Sequence, residues 1–238
     1  MRLLALDVGN GSVKYGRFEG GRRVAGGRLP LEEGFDRLRS ERAAVDRAVA
    51  VSVNPPVLAK LRDLLRGLEA VGVEVPVPLP VLYEPPEACG LDRVMGVLGA
   101  LARRPDAAGV LVLDAGTCLT ATVGVRGRGV LGGAILPGPD LMARSLAEGT
   151  AALPRVAPGP SPEGWGRSTE DSIRVGIDAA VAGACRELVR RCRAHSDVPL
   201  DVVAAGTGAG ALAASVPEID AAHPFATLWG VHEAAAAV

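Results

Sequence analysis

Residues 3–16, "LLALDVGNGSVKYG", begin as an apolar run and then meet a carboxylate at Asp7, two glycines, Asn10 and Ser12 before reaching Lys14. Such a run reads as a buried strand that breaks at Asp7, and the Asp-x-Gly as a turn. Residues 110–124, "VLVLDAGTCLTATVG", repeat the order of apolar strand, Asp-x-Gly and polar turn residue. Wider windows, "LALDVGNGSVKYGRFEGGRRVAGG" and "LVLDAGTCLTATVGVRGRGVLGG", also share a glycine hairpin and a terminal Gly-Gly. Asp7 and Asp114 lie 107 residues apart, well beyond the solenoid periods of up to about 50 residues. The duplication predicts two similar α/β lobes, residues 1–105 and 106–238, with the boundary in "RPDAA" at 104–108.

The rest of the chain fits that plan. Strands are expected over 2–7, 12–18 and 22–29, forming an antiparallel meander around the Glu19-Gly20-Gly21 turn, with a helix over 32–43 and a buried strand over 48–53. A proline-opened helix over 55–68, an extended proline-rich stretch over 75–86 and a helix over 91–102 complete the first lobe. The second begins with a strand over 109–114, two strands around a glycine turn within 118–135 and a helix over 138–148. A long helix over 168–194, a strand over 200–205, a glycine turn at 206–210 and closing helices follow.

Composition narrows the function classes. With 26 basic and 27 acidic residues the net charge is -1, which offers no basic face to nucleic acid. No uncharged run reaches the length of a membrane span and no basic leader precedes the first strand, so a cytoplasmic protein without membrane association is expected. Cys89, Cys118, Cys185 and Cys192 form no Cys-x-x-Cys pair and read as small buried hydrophobes or inert thiols, Cys185 and Cys192 sharing a core-face spacing of seven.

Ligands in open α/β sheets gather at the carboxyl ends of strands, so both Asp-x-Gly turns are expected on one cleft. Glycines let backbone N–H groups approach a phosphate, and a carboxylate there can hold Mg²⁺ or its waters. Lys14 offers a point charge to phosphate or pairs locally. The glycine turn "AAGTGAGAL" at 204–212 suits the floor of a nucleoside site. In "YEPPEACGLDRVMGVLGA", Gly90 breaks the extended segment and Asp92 falls in the first turn of a helix, whose dipole favours the ionised carboxylate. Asp92 is thus a candidate base for a hydroxyl nucleophile as well as a plain helix cap, with Arg93 beside it to hold an anion.

At this point six ordered segments resemble the motifs of the type III pantothenate kinases, of the acetate and sugar kinase, heat-shock chaperone and actin superfamily. They are "DVGNGSVKYG" (7–16), "YEPPEACGLDR" (83–93), "DAGTCLT" (114–120), "GGAILPG" (132–138), "GRSTEDSIRVGI" (166–177) and "TLWGVHEA" (227–234). The resemblance implies a duplicated ribonuclease H-like, actin-like ATPase fold, two lobes with mixed sheets and flanking helices, and ATP-dependent phosphorylation of pantothenate. It assigns Asp92 as general base, and Tyr83, Gly90, Leu91 and Arg93 to the pantothenate pocket. Asp7, Gly9, Asn10, Gly11, Ser12, Lys14 and Thr117 would serve ATP phosphates, Asp7 also organising Mg²⁺ through water. Gly206 and Gly208 would lie by adenosine, and Asp114 would hold a monovalent cation, K⁺ or NH₄⁺. A homodimer is implied, with Thr169 reaching the neighbouring protomer's substrate.

The chain departs from those motifs at two places. Gly11 stands where they carry Thr or Ser, with Ser12 one position later, and "AGTGAG" replaces Thr-Gly-Gly. A shift of one residue along a strand changes its face, so the departures leave open a non-catalytic accessory homologue; a kinase of another small hydroxy acid is a further alternative. Trp165 is read as an interface or ligand residue, His223 and His232 as structural, and Met142–Leu146 as core helix.

Overall fold

The computed structural model describes residues 1–31 and 34–238, so the first two positions of the helix expected over 32–43 lie outside the described residues. Backbone proximity divides the chain into two units. One comprises Met1–Val110, Gly124–Gly132 and Phe225–Val238, the other Leu111–Val123 and Gly133–Pro224.

The first sheet has the order β3-β2-β1-β4-β5. Its strands are β1 (Arg2–Val8), β2 (Ser12–Glu19), β3 (Arg22–Pro30), β4 (Arg47–Ser52) and β5 (Leu68–Ala70), with α1 (Phe35–Ala43) and α2 (Pro55–Leu64) between them. β1 and β2 pair antiparallel with Asp7 opposite Lys14, while β1 and β4 pair parallel with Asp7 opposite Val51. β1 therefore continues through Asp7 to Val8 rather than breaking there. The two-residue alternation sends Leu4, Leu6, Val8, Val13 and Tyr15 into a core with Leu38, Leu61 and Leu65 of the flanking helical segments. Asp7 and Lys14 lie on the opposite face.

Asn54 opens α2 by accepting a hydrogen bond from the Val57 N–H at 3.3 Å, ahead of Pro55 and Pro56. The helix stops at Leu64, short of the expected residue 68. Gly67 adopts φ +74, a left-handed conformation that ends the helical stretch, and β5 begins at Leu68 against β4. An extended segment then leads to α3 (Leu91–Arg103).

The second sheet has the order β10-β9-β6-β7-β8, which read backwards matches the first strand for strand. It comprises β6 (Gly109–Ala115), β7 (Cys118–Val125), β8 (Gly129–Pro137), β9 (Leu200–Ala205) and the short β10 (Ala221–Ala222). The helices are α4 (Pro139–Gly149), α5 (Thr169–His195) and α6 (Ala209–Ser215). Leu111, Leu113, Leu119, Val202 and Ala204 pack with Val181, Cys185 and Val189 of α5. Cys185 lies in this core as its spacing predicts, and burial pushes its thiol up to about 11.

The last helix, α7 (Ala226–Ala236), belongs to the first unit and crosses α3 at Gly99 and Gly230. A Cβ on Gly99 would overlap the Ala226 carbonyl, and one on Gly230 the Met95 carbonyl. Trp229 and His232 of α7 pack around Phe18, and Arg103 lies 4.7 Å above the Trp229 ring. Both histidines read as structural are thus accounted for differently: His232 stacks here, and His223 follows β10 with its N–H bonded to the Ala204 carbonyl.

Candidate active site

The first Asp-x-Gly turn leaves β1 at its carboxyl end. Gly9 donates its N–H to the Ser12 carbonyl at 3.1 Å, which folds Gly9, Asn10 and Gly11 into a tight exposed loop. Directly across the β1–β2 ladder, the Lys14 ammonium sits 3.1 Å from Asp7 Oδ2, and both side chains are largely removed from solvent. Opposed residues in an antiparallel pair share a face, so register alone brings the two together. The Ser12 hydroxyl, on the same face two residues earlier, accepts a 2.8 Å hydrogen bond from Arg28 Nε.

α3 begins beside this turn. Gly90 is its N-cap, and a Cβ there would come within 2.6 Å of Asp92 Oδ1, so the small residue leaves room for the carboxylate. Asp92 accepts the Arg93 N–H at 2.8 Å. Burial raises the Asp92 pKa above the ordinary carboxylate value and the nearby Asp7 charge raises it further; the Arg93 N–H, the Arg93 charge and Lys14 act in the opposite sense. Burial outweighs the helix terminus that favours the ionised form. Arg93 is 8% exposed and its guanidinium lies 5.4 Å from the Tyr83 ring centre, so a cation and an aromatic face stand beside Asp92. Leu91, the first residue of the helix, is half-buried.

The second Asp-x-Gly turn lies in the other unit. Gly116 donates its N–H to the Cys118 carbonyl at 3.0 Å, leaving Thr117 and the Cys118 thiol exposed. The Gly138 N–H reaches the Thr117 carbonyl at 3.0 Å and braces the loop from the start of α4, a contact the sequence signals only through the "LPG" that ends β8. Gly206, at φ +77, brings the turn after β9 against this loop. A Cβ there would overlap Asp114 Oδ1 and sit 2.7 Å from the Ala115 carbonyl oxygen. The Gly208 N–H donates to the same carbonyl at 3.2 Å. The structure thus groups Asp7, Gly9, Asn10, Gly11, Ser12, Lys14, Tyr83, Gly90, Leu91, Asp92 and Arg93 in one unit, and Asp114, Thr117, Thr169, Gly206 and Gly208 in the other. Thr169 opens α5 behind the Ser168 cap and is exposed.

A family profile described as type III pantothenate kinase matches residues 3–191. Type III pantothenate kinase of Thermus thermophilus is 32% identical over 248 aligned positions, covering 96% of both chains. The chain belongs to the type III pantothenate kinase family. The Myxococcus xanthus enzyme of the same name is 31% identical over 96% of this chain. Among solved structures, a Baf family transcriptional activator from Campylobacter jejuni superposes with TM-score 0.65 at 16% identity over 98% of each chain. A ROK hexokinase from Thermus thermophilus gives 0.53 at 14% identity over 98% of each chain. At such identities these speak to fold alone, and with the matching strand orders they make this the duplicated actin-like ATPase fold.

Proposed function

We propose that this type III pantothenate kinase family member transfers the γ-phosphoryl of ATP to the primary hydroxyl of pantothenate, the first step towards coenzyme A, and works in the cytoplasm as a homodimer. The observation that supports the site assignment best is the grouping of Asp92 with Asp7, Lys14 and Arg93. It joins a buried and a half-buried carboxylate to two cations beside a glycine loop. Asp92 accepts the hydroxyl proton while the substrate oxygen bonds to the γ-phosphorus and the bond to the β,γ-bridging oxygen breaks, releasing ADP. Its raised pKa keeps the proton transfer closer to balance than an ordinary aspartate would. Arg93, with Tyr83 beside it, suits the pantothenate carboxylate and disfavours a neutral sugar. The Asn10 and Gly11 N–H groups of the loop, with Lys14, orient the phosphates.

Among the described residues no three carboxylate, Cys or His side chains form a metal cage. Mg²⁺ at a nucleotide needs none, because one or two carboxylates, waters and the phosphates complete its shell; Asp7 fits that part. Bound there, Mg²⁺ would neutralise charge on the transferring phosphate. The Asp114 carboxylate and Ala115 carbonyl, converging where Gly206 leaves space, provide hard oxygen donors that suit K⁺ or NH₄⁺. Gly206 and Gly208 would face adenosine, and Thr169 a partner protomer's substrate. Retention of Asp92, Arg93 and Asp114 speaks against an accessory homologue.

The test is ADP release by purified protein with ATP, Mg²⁺, K⁺ and pantothenate, with the phosphorylated product identified by mass. Pantothenate-dependent turnover is the expected outcome. ADP release indifferent to pantothenate overturns the reading.

A further inference from the structure

The first sheet carries a row of three charged residues, of which Arg28 has no place in the chemistry described above. Asp7 is opposite Lys14 on β1 and β2, and Lys14 is opposite Arg28 on β2 and β3. Opposed residues share a face, so the row Asp7, Lys14, Arg28 runs across three strands on the side away from the Leu4–Tyr15 core. The row lies at the carboxyl end of β1, level with the Gly9–Ser12 loop. Arg28 is exposed, and its Nε donates to the Ser12 hydroxyl at 2.8 Å. Among the described residues it forms no ion pair with a carboxylate.

The second sheet shows that topology does not require this charge. Counted from the first residue of each strand, Lys14 and Thr120 are both third, and Arg28 and Ile135 both seventh. The surrounding residues correspond, since β3 ends in Leu29-Pro30 and β8 in Leu136-Pro137. The same strand position therefore accepts an exposed isoleucine, and Ile135 is 59% exposed. The strand order therefore leaves this position free to carry a guanidinium or an apolar side chain.

We propose that Arg28 is a phosphate-binding residue of the nucleotide site. Nε fixes the Ser12 hydroxyl at the base of the loop, and the remaining guanidinium N–H groups are donors for the ATP phosphates. Gly11 offers no side chain at the loop tip, and the register places Arg28 beside Lys14 as a second cation on this face. This inference rests on the kinase reading only for the identity of the nucleotide.

Calorimetry with Mg²⁺ and a non-hydrolysable ATP analogue tests it directly, alongside KM for ATP and for pantothenate. Arg28→Gln is expected to weaken analogue binding about tenfold and to raise KM for ATP, leaving KM for pantothenate and the melting temperature unchanged. Arg28→Lys, which keeps the charge and loses the fork, should fall between the two. Arg22→Gln, at the far end of β3, controls for net charge and should bind like wild type. Unchanged analogue affinity in Arg28→Gln overturns the proposal, as does equal weakening by Arg22→Gln. If Arg28→Gln melts early, Arg28→Lys with a wild-type melting temperature decides: wild-type analogue affinity overturns the proposal, and weaker affinity upholds it. Analogue binding without pantothenate-dependent turnover in wild type would overturn the kinase reading and leave the Arg28 test standing.

Discussion

The two Asp-x-Gly turns are built on the same strand order and differ in what surrounds the carboxylate. Asp7 is answered by an ammonium directly across the ladder and has Asp92 for a neighbour. Asp114 stands where Gly206 comes against it beside the Ala115 carbonyl oxygen. The first loop is also one residue wider, since Gly9 bonds to the carbonyl three residues on and Gly116 to the carbonyl two residues on. A duplicated scaffold therefore fixes where a carboxylate stands, and the residues opposite it set the charge and the space around it.

The largest predicted effect removes the group that has no counterpart in the second turn. Asp92→Asn should lower kcat by about a hundredfold to ten-thousandfold while pantothenate still binds in an equilibrium titration. The same variant sharpens the electrostatic side of the comparison. A carboxyl whose folded pKa is raised holds its proton more tightly when folded, so the stability it contributes at low pH is lost as pH rises through that folded value. Asp92→Asn should therefore melt no lower than wild type near neutral pH, its relative stability increasing as pH rises from about 4 to 7. Wild-type kcat/KM should fall on the acid side at a pH above the ordinary carboxylate range, read from a pH–rate profile.

Lys14→Met breaks the pair that distinguishes the first turn. It leaves the Asp7 carboxylate buried beside Asp92 without its cross-strand cation, at a cost of about 3 kcal/mol, measured by denaturant unfolding. On the other side, Gly206→Ala places a Cβ on Asp114 at a positive φ. It should cost about 1–3 kcal/mol and remove the dependence of turnover on K⁺, measured by cation titration. The smallest effect belongs to a pair outside both turns. Arg2→Ala breaks the exposed contact with Asp46, which is now held down to about 2, and should leave activity at the wild-type level in the ADP-release assay.

Most of this architecture is legible in the sequence because both sheets advertise it through alternation and through glycines at the hairpins. The Asp7–Lys14 pair follows from counting back from the Gly9–Ser12 turn, but Arg28 does not follow from a turn at Gly20 and Gly21: direct counting sets Lys14 against Gly27, and a bulge between Arg17 and Phe18 shifts the ladder by one residue to Arg28. β5 escapes because three residues carry no periodicity and follow directly on a helix. The helix dipole argument for Asp92 gives the wrong net direction, because burial by residues distant in sequence outweighs it and leaves no local signal. The same distance hides the docking of α7, whose partners on α3 lie more than a hundred residues earlier.

That docking has a consequence for biosynthesis. Gly99 and Gly230 let α7 seat directly on α3, and the Ala235 carbonyl of α7 accepts a 2.6 Å hydrogen bond from Arg47 on β4. The unit that contains Asp7 and Asp92 therefore lacks a wall until residues 225–238 have left the ribosome. More than two hundred residues therefore separate the emergence of the Gly9–Ser12 loop from that of the helix that closes its unit.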